Sequence, residues 1–167
     1  MTKDNILYRA TGYLARIFHA GCVVRWHTNP WLSHTDDRID GHSARVARLI
    51  LAMHPDPSFD LIKAALTHDD GESVTGDVPA TAKNSRFGYE LRLEEERART
   101  ELWGDDPALT YDEHLWLSFA DKLDAYMWAQ HHAPHVLRDY DWQEARDVLI
   151  GKAERLGVTE YVREVVG

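Results

Sequence analysis

The stretch Thr110-Tyr111-Asp112-Glu113 carries the pattern of a reciprocal helix cap, with a glutamate three residues after a threonine. Behind it, Leu115, Trp116, Phe119, Leu123 and Met127 recur at spacings of one, three and four residues, so the longest helix of the chain is expected to run from there to about Ala133. A helix of that length with large apolar side chains has to be wrapped by other elements. Asp121 falls in its interior, where an aspartate is a poor helix former and, if it faces the core, a costly one. A metal ion is the simplest explanation for it.

The rest of the chain reads the same way. Ile6, Leu7, Ala10, Leu14, Ile17 and Phe18 predict a first helix from about Asn5 to Ala20. Asp40 is expected to cap a second helix, buried through Val46, Leu49, Ile50 and Met53 and carrying His42 in its first turn. His54-Pro55-Asp56-Pro57 breaks the chain, and Ser58 caps a third helix that ends near His68. Residues Tyr89 to Trp103 predict a charged helix, with Glu94-Glu95-Glu96 as a solvated face. Helices over Asp141 to Leu156 and Thr159 to Val166 close the chain, while Arg25 to Arg38 and Asp70 to Asn84 are loop-like, with Glu72 in a short helical turn. No alternating strand pattern and no internal repeat stands out. The expectation is all-α: one domain over residues 1–167, a bundle of about six to seven helices.

Bulk properties narrow the function. A formal net charge of −9 argues against nucleic acid as a partner, and leaves any phosphate to be captured by local cations or a metal. Cys22 is the only cysteine, which excludes an intramolecular disulfide and a cysteine-based zinc site. No stretch reaches the roughly 18 apolar residues of a membrane span, and the first residues lack the pattern of a signal peptide, so a cytoplasmic protein is expected.

The chemistry is expected at Leu66-Thr67-His68-Asp69-Asp70-Gly71-Glu72, where an apolar helix ends in an imidazole and a carboxylate side by side. That donor pair suits Zn²⁺, Mn²⁺ or Co²⁺. The cluster His131-His132-Ala133-Pro134-His135 reads instead as polar residues at a helix end, since Pro134 disrupts the shared face.

Taken in order, Arg25-Trp26, Gly41-His42-Ser43, Val46-Ala47, the run from His68 to Pro79 with Lys83, and Ala120-Asp121 resemble the HD-domain phosphohydrolase superfamily. Within it the chain is most similar to the small bacterial 5'-deoxynucleotidases and the phage deoxyadenosine triphosphate triphosphohydrolases. The likeness spans roughly residues 20 to 130. It implies a ligand set of His42, His68, Asp69 and Asp121 for one divalent ion (zinc, cobalt or manganese), since the residues after Asp69 are not the further histidines of two-metal relatives. It also implies that Glu72 is a catalytic acid/base, suited to taking a proton from a water whose pKa the metal lowers. Asp77 is expected either to orient a reacting oxygen or to build an Asx-type turn before Val78-Pro79.

Arg25 and Lys83 are expected to neutralise phosphate, and Trp26 to offer a face to the base or sugar. The resemblance implies a hydrolase that attacks the α-phosphorus of a 2'-deoxynucleotide and releases the deoxynucleoside, acting as a homo-oligomer. The short connection from Asp69 to Asp121, together with Arg25, Lys83 and Lys122, favours a triphosphate substrate. The alternatives are a 5'-deoxynucleotidase for monophosphates, and a non-catalytic nucleotide-binding module. Hydrolysis of tetraphosphate alarmones is disfavoured by Thr75-Gly76-Asp77-Val78-Pro79.

Overall fold

Helix follows helix in the computed structural model: α1 (Lys3–Gly21), α2 (Ile39–Met53), α3 (Phe59–Thr67), α4 (Ala80–Lys83), α5 (Gly88–Trp103), α6 (Tyr111–His132), α7 (Tyr140–Leu156) and α8 (Thr159–Val166). It describes residues 3–83 and 85–166, with the side chains of residues 3–11, 80 and 81 left aside. Single 3₁₀ turns lie at Asp70–Ser73 and Pro134–Arg138. Among the described residues there is no strand, only an isolated bridge between Val24 and Arg38. The described residues therefore form the expected all-α bundle, with seven helices of eight residues or more among them and α4 a single turn.

Local chemistry sets the helix starts where a capping side chain exists. Ser58 Oγ accepts from Leu61 N at 3.0 Å and opens α3. Both halves of the box between Thr110 and Glu113 form and open α6. The Ser58 hydroxyl also donates to Glu113, tying the two caps together, and these bonds hold the Glu113 carboxyl down at about 2.

α6 is the hub, packed on by α2, α3 and α7. It buries Trp116, Phe119, Ala120, Leu123, Tyr126 and Ala129, which lie around more than one face. Val46, Ile50, Leu61, Ala65, Leu149 and Val162 complete the main core. A smaller cluster of Leu32, Ala129, Ala133 and Val136 pins the loop between α1 and α2 against the far end of α6. None of these helices is long and apolar enough to cross a membrane.

Several expectations need correction. Asp40 is not the cap of α2: the helix begins at Ile39, which is fully buried and whose N–H bonds Val23 O at 3.1 Å, so the chain enters the helix before Asp40. The Asp40 carboxylate accepts from Gly41 N instead. The run Glu94-Glu95-Glu96 is not uniformly solvated, because Glu95 is buried and accepts from Thr75 Oγ1 at 3.0 Å. Met127 turns outward from α6 rather than into the core. On α1, Leu14 and Phe18 are 63% and 70% exposed, so that helix does not bury the apolar stripe its spacing suggests. Ile6, Leu7 and Ala10 lie outside the described side chains.

Candidate metal centre

Four sequence positions meet where three helices converge. His42 comes from the first turn of α2 and is fully buried; His68 caps the C-terminus of α3, with Asp69 next to it; Asp121 projects from the middle of α6. His42 Nε2 lies 3.4 Å from Asp69 Oδ2 and 3.3 Å from Asp121 Oδ1. His68 Nε2 lies 3.4 Å and 4.0 Å from the same two oxygens. With metal–ligand bonds of about 2.1 Å, neighbouring ligand atoms of a tetrahedral or octahedral shell sit roughly 3.0–3.4 Å apart. His42, His68 and Asp69 form a group that could hold a metal ion, and Asp121 adds a second carboxylate beside it.

The imidazole orientations carry further information. His42 Nδ1 donates to Asp124 Oδ2 at 2.7 Å, and His68 Nδ1 donates to the Ala65 carbonyl at 3.0 Å. A neutral ring held that way presents the lone pair of Nε2. In both residues Nε2 is buried and without a hydrogen-bond partner. Two such orphaned atoms aimed at the same pair of carboxylates are costly unless a proton or a metal cation joins them.

Charge is concentrated here. Burial alone would lower the His42 pKa, but Asp121, Asp124 and Asp69 raise it to about 10, so without a cation a proton on His42 balances the carboxylates. Burial would raise the carboxyls of Asp69 and Asp121; the facing histidines dominate and hold both low. A bound cation would take over the role of that proton.

Glu72 stands on the 3₁₀ turn after Asp69. The turn packs so tightly on α5 that a Cβ at Gly71 would come within 2.2 Å of Glu95 O, which only glycine permits. Glu72 is 4% exposed, one oxygen accepts from Lys83 Nζ at 2.7 Å, and Oε2 has no partner. Burial first, then the charge of Asp69, pushes its carboxyl up to about 8 against the pull of Lys83. Lys83 lies 3.3 Å from Glu95 as well, so two carboxylates hold it.

The loop before α2 completes the rim. Arg25 is buried, with Nη1 on Asp37 Oδ2 at 3.0 Å, while its Nε is buried without a partner. Its charge helps to hold Asp69 low, so it lies within electrostatic reach of the centre. Trp26 adopts φ 65°, a left-handed conformation that side chains this bulky rarely take. Asp77 accepts from the Trp26 backbone N–H at 2.5 Å, Asp37 accepts from its indole N–H at 2.9 Å, and Trp142 packs on its ring. Asp77 thus clamps a strained residue across 51 positions of sequence.

The histidines at the end of α6 stay polar and exposed: His131, His132 and His135 all face solvent. Comparison with protein-family models, with curated proteins and with solved structures found no match to this chain.

Three side chains around the centre were not singled out in the sequence. Asp124 is 3% exposed and, besides His42, accepts from Arg45 Nε at 2.6 Å. Arg45 also bonds Asp37 at 2.7 Å, which links the centre to the Arg25 loop. The available signal was a second aspartate one turn after Asp121 in the same helix. If Asp124 fixes the His42 ring, Asp124→Asn lowers metal affinity about 10–100-fold. Competition against a chromophoric chelator, with thermal melting as a control for folding, checks this. Unchanged affinity would reduce Asp124 to a packing role.

Proposed function

We propose that this chain is a metal-dependent phosphohydrolase of the HD-domain type. The reading is that His42, His68, Asp69 and Asp121 hold one divalent ion (zinc, cobalt or manganese) and that a 2'-deoxynucleotide is cleaved at its α-phosphorus. The observation that carries it is the pair of buried, unpartnered Nε2 atoms facing two carboxylates, with the half-unpaired Glu72 carboxyl a few residues away. Two nitrogens and two oxygens suit a borderline cation. When bound, such an ion would polarise a phosphoryl oxygen and lower the pKa of a water.

In this reading Glu72 is the proton carrier. Its free Oε2 takes a proton from the attacking water as the new P–O bond forms. The bond from phosphorus to the nucleoside 5'-oxygen breaks, and the proton passes to that oxygen, leaving a deoxynucleoside and, from a triphosphate, intact triphosphate. Lys83 fixes the Glu72 carboxyl, Arg25 offers donors to the phosphate, and Trp26 with Trp142 forms an aromatic wall for the base. Asp77 positions Trp26 through its backbone. A 5'-deoxynucleotidase acting on monophosphates uses the same chemistry; a vestigial binding module would not need Glu72 raised and half-unpaired. The cytoplasmic, homo-oligomeric state expected from the sequence belongs to the same reading.

The test is a screen of 2'-deoxy- and ribonucleoside mono-, di- and triphosphates with Mn²⁺, Co²⁺, Zn²⁺ and Mg²⁺, products being resolved by chromatography. Release of deoxynucleoside supports the reading. Stoichiometric nucleotide binding with no product under any metal would make the chain a binding module.

A further inference from the structure

A groove of about 550 Å³ opens between α2 and α6, a size ordinary for a small-molecule site. α2 lines it with Arg45, Arg48 and Leu49, and α6 with Asp124, Met127 and Trp128. In both helices the second and third of these follow the first by three and four positions, which sets them on one face. None of the candidate metal ligands His42, His68, Asp69 and Asp121 lines the groove. Asp124, which does, meets the His42 ring at Nδ1, the nitrogen that is not turned to the centre.

Most of this lining is apolar or already engaged. Asp124 is the one carboxylate in it, and it accepts from His42 and from Arg45 Nε at 2.6 Å. Arg45 also bonds Asp37 at 2.7 Å, so its charge is matched by two carboxylates. The Trp128 indole N–H donates to Thr35 Oγ1 at 3.2 Å, and its ring packs against the Arg45 guanidinium at 4.4 Å and the His132 ring at 4.2 Å. Trp128 is therefore an apolar wall and not a platform for a nucleobase, and the half-buried Leu49 and the 37% exposed Met127 continue that wall. Arg48 stands apart: among the described residues its guanidinium has no hydrogen-bond or ion-pair partner. A solvated helix face explains a free arginine, but not an apolar concavity beside it.

We propose that the groove between α2 and α6 binds a monocarboxylate with an apolar body, Arg48 pairing with the carboxylate and Leu49, Met127 and Trp128 covering the body. A guanidinium fork matches a planar carboxylate, and one unmatched positive charge calls for one negative charge. A phosphate monoester brings roughly two, one more than the groove can balance. A second copy of the chain fits less well, because a twofold contact centred here sets two Arg48 guanidinia against each other. The site goes beyond the phosphohydrolase reading and does not rest on it.

Naphthaleneacetate and octanoate, an aromatic and an aliphatic form of this chemistry, are titrated calorimetrically into the full chain with and without added Mn²⁺, beside acetate and naphthaleneacetamide. At least one of the two acids is expected to saturate a single site, roughly tenfold or more tightly than acetate or the amide, which lack the body or the charge. Arg48→Gln is expected to weaken that binding by about tenfold or more, Arg48→Lys to restore part of it, and Met127→Glu to abolish it. Both side chains are exposed, so the melting temperature is expected to stay unchanged in all three variants. No saturable binding of either acid at millimolar concentration, equal affinity for acid and amide, or indifference to Arg48→Gln overturns the site. Binding that appears only with Mn²⁺ would put the carboxylate on the metal and overturn it too. Tighter binding of naphthyl phosphate by the metal-free protein would refute the carboxylate head group. A dimer in light scattering that Met127→Glu converts to monomers would show the groove covered by a second copy, against the proposal.

Discussion

Glu72→Gln is expected to lower kcat by about 10²–10⁴-fold, the usual contribution of a general acid/base, while leaving metal content unchanged. The substitution keeps the shape of a buried side chain and its contact with Lys83, but removes the carboxylate proposed to take the proton. Only the ionised form can act as a base, so the wild-type rate falls as pH drops through the Glu72 pKa. That value is about 8 without a cation, raised by burial and then by Asp69; a cation on Asp69 cancels the second cause, so the acid limb of the holoenzyme lies below 8. The same shift has a sign for stability. A carboxyl raised from 4.5 to about 8 stays protonated in the fold where the unfolded chain has released its proton, so stability falls as pH rises across that interval. Metal-free Glu72→Gln should lose less stability than wild type between pH 5 and 8, as read by chemical denaturation. Near-wild-type turnover in Glu72→Gln would remove the residue from the chemistry, and loss of metal would make it a ligand.

Asp69→Ala and His68→Ala are expected to bring turnover to background and to lose the metal, a larger effect than that of Glu72. Asp69 Oδ2 is 3.4 Å from both Nε2 atoms, so its removal deprives the centre of the atom they share. Losing His68 leaves His42 as the single nitrogen donor, too few for a borderline ion among these ligands. With the ion gone, water activation and charge neutralisation on the phosphate go together. Elemental analysis of the purified variants checks this: full occupancy in both would refute the ligand assignment. Melting temperature has to be read alongside, since in metal-free protein Asp69 also helps to balance a protonated His42.

What could be read from the sequence was what local chemistry decides. Ser58 and the pair Thr110–Glu113 mark helix starts within three residues of themselves, and the structure has both caps. The run after His68 is contiguous, so the short turn that carries Glu72 could be foreseen. Asp121 betrayed itself as an aspartate inside an apolar helix, and it does lie beside His42. What escaped was decided by packing at long range. The Asp124 bond to His42 spans 82 positions and depends on how α2 crosses α6. Arg45 and Asp37 join that network only once the loop is folded back, and Glu95 is buried because Gly71 lets the 3₁₀ turn approach α5. Asp40 looked like a cap on residue type alone, but burial of Ile39 moved the helix start. The exposure of Leu14 and Phe18 is likewise invisible to periodicity, which says that a helix has an apolar side and not what covers it.

The most direct measurement is the fate of oxygen in the reaction. Metal-replete protein is incubated with 2'-deoxynucleoside triphosphates in ¹⁸O-water, and the products are resolved by mass spectrometry. If a water activated at the His42, His68, Asp69 and Asp121 centre attacks the α-phosphorus, one ¹⁸O enters the released triphosphate and the deoxynucleoside hydroxyl stays unlabelled. Label in the deoxynucleoside, or a deoxynucleoside monophosphate appearing with pyrophosphate, would contradict that chemistry even in a protein that binds the metal as expected.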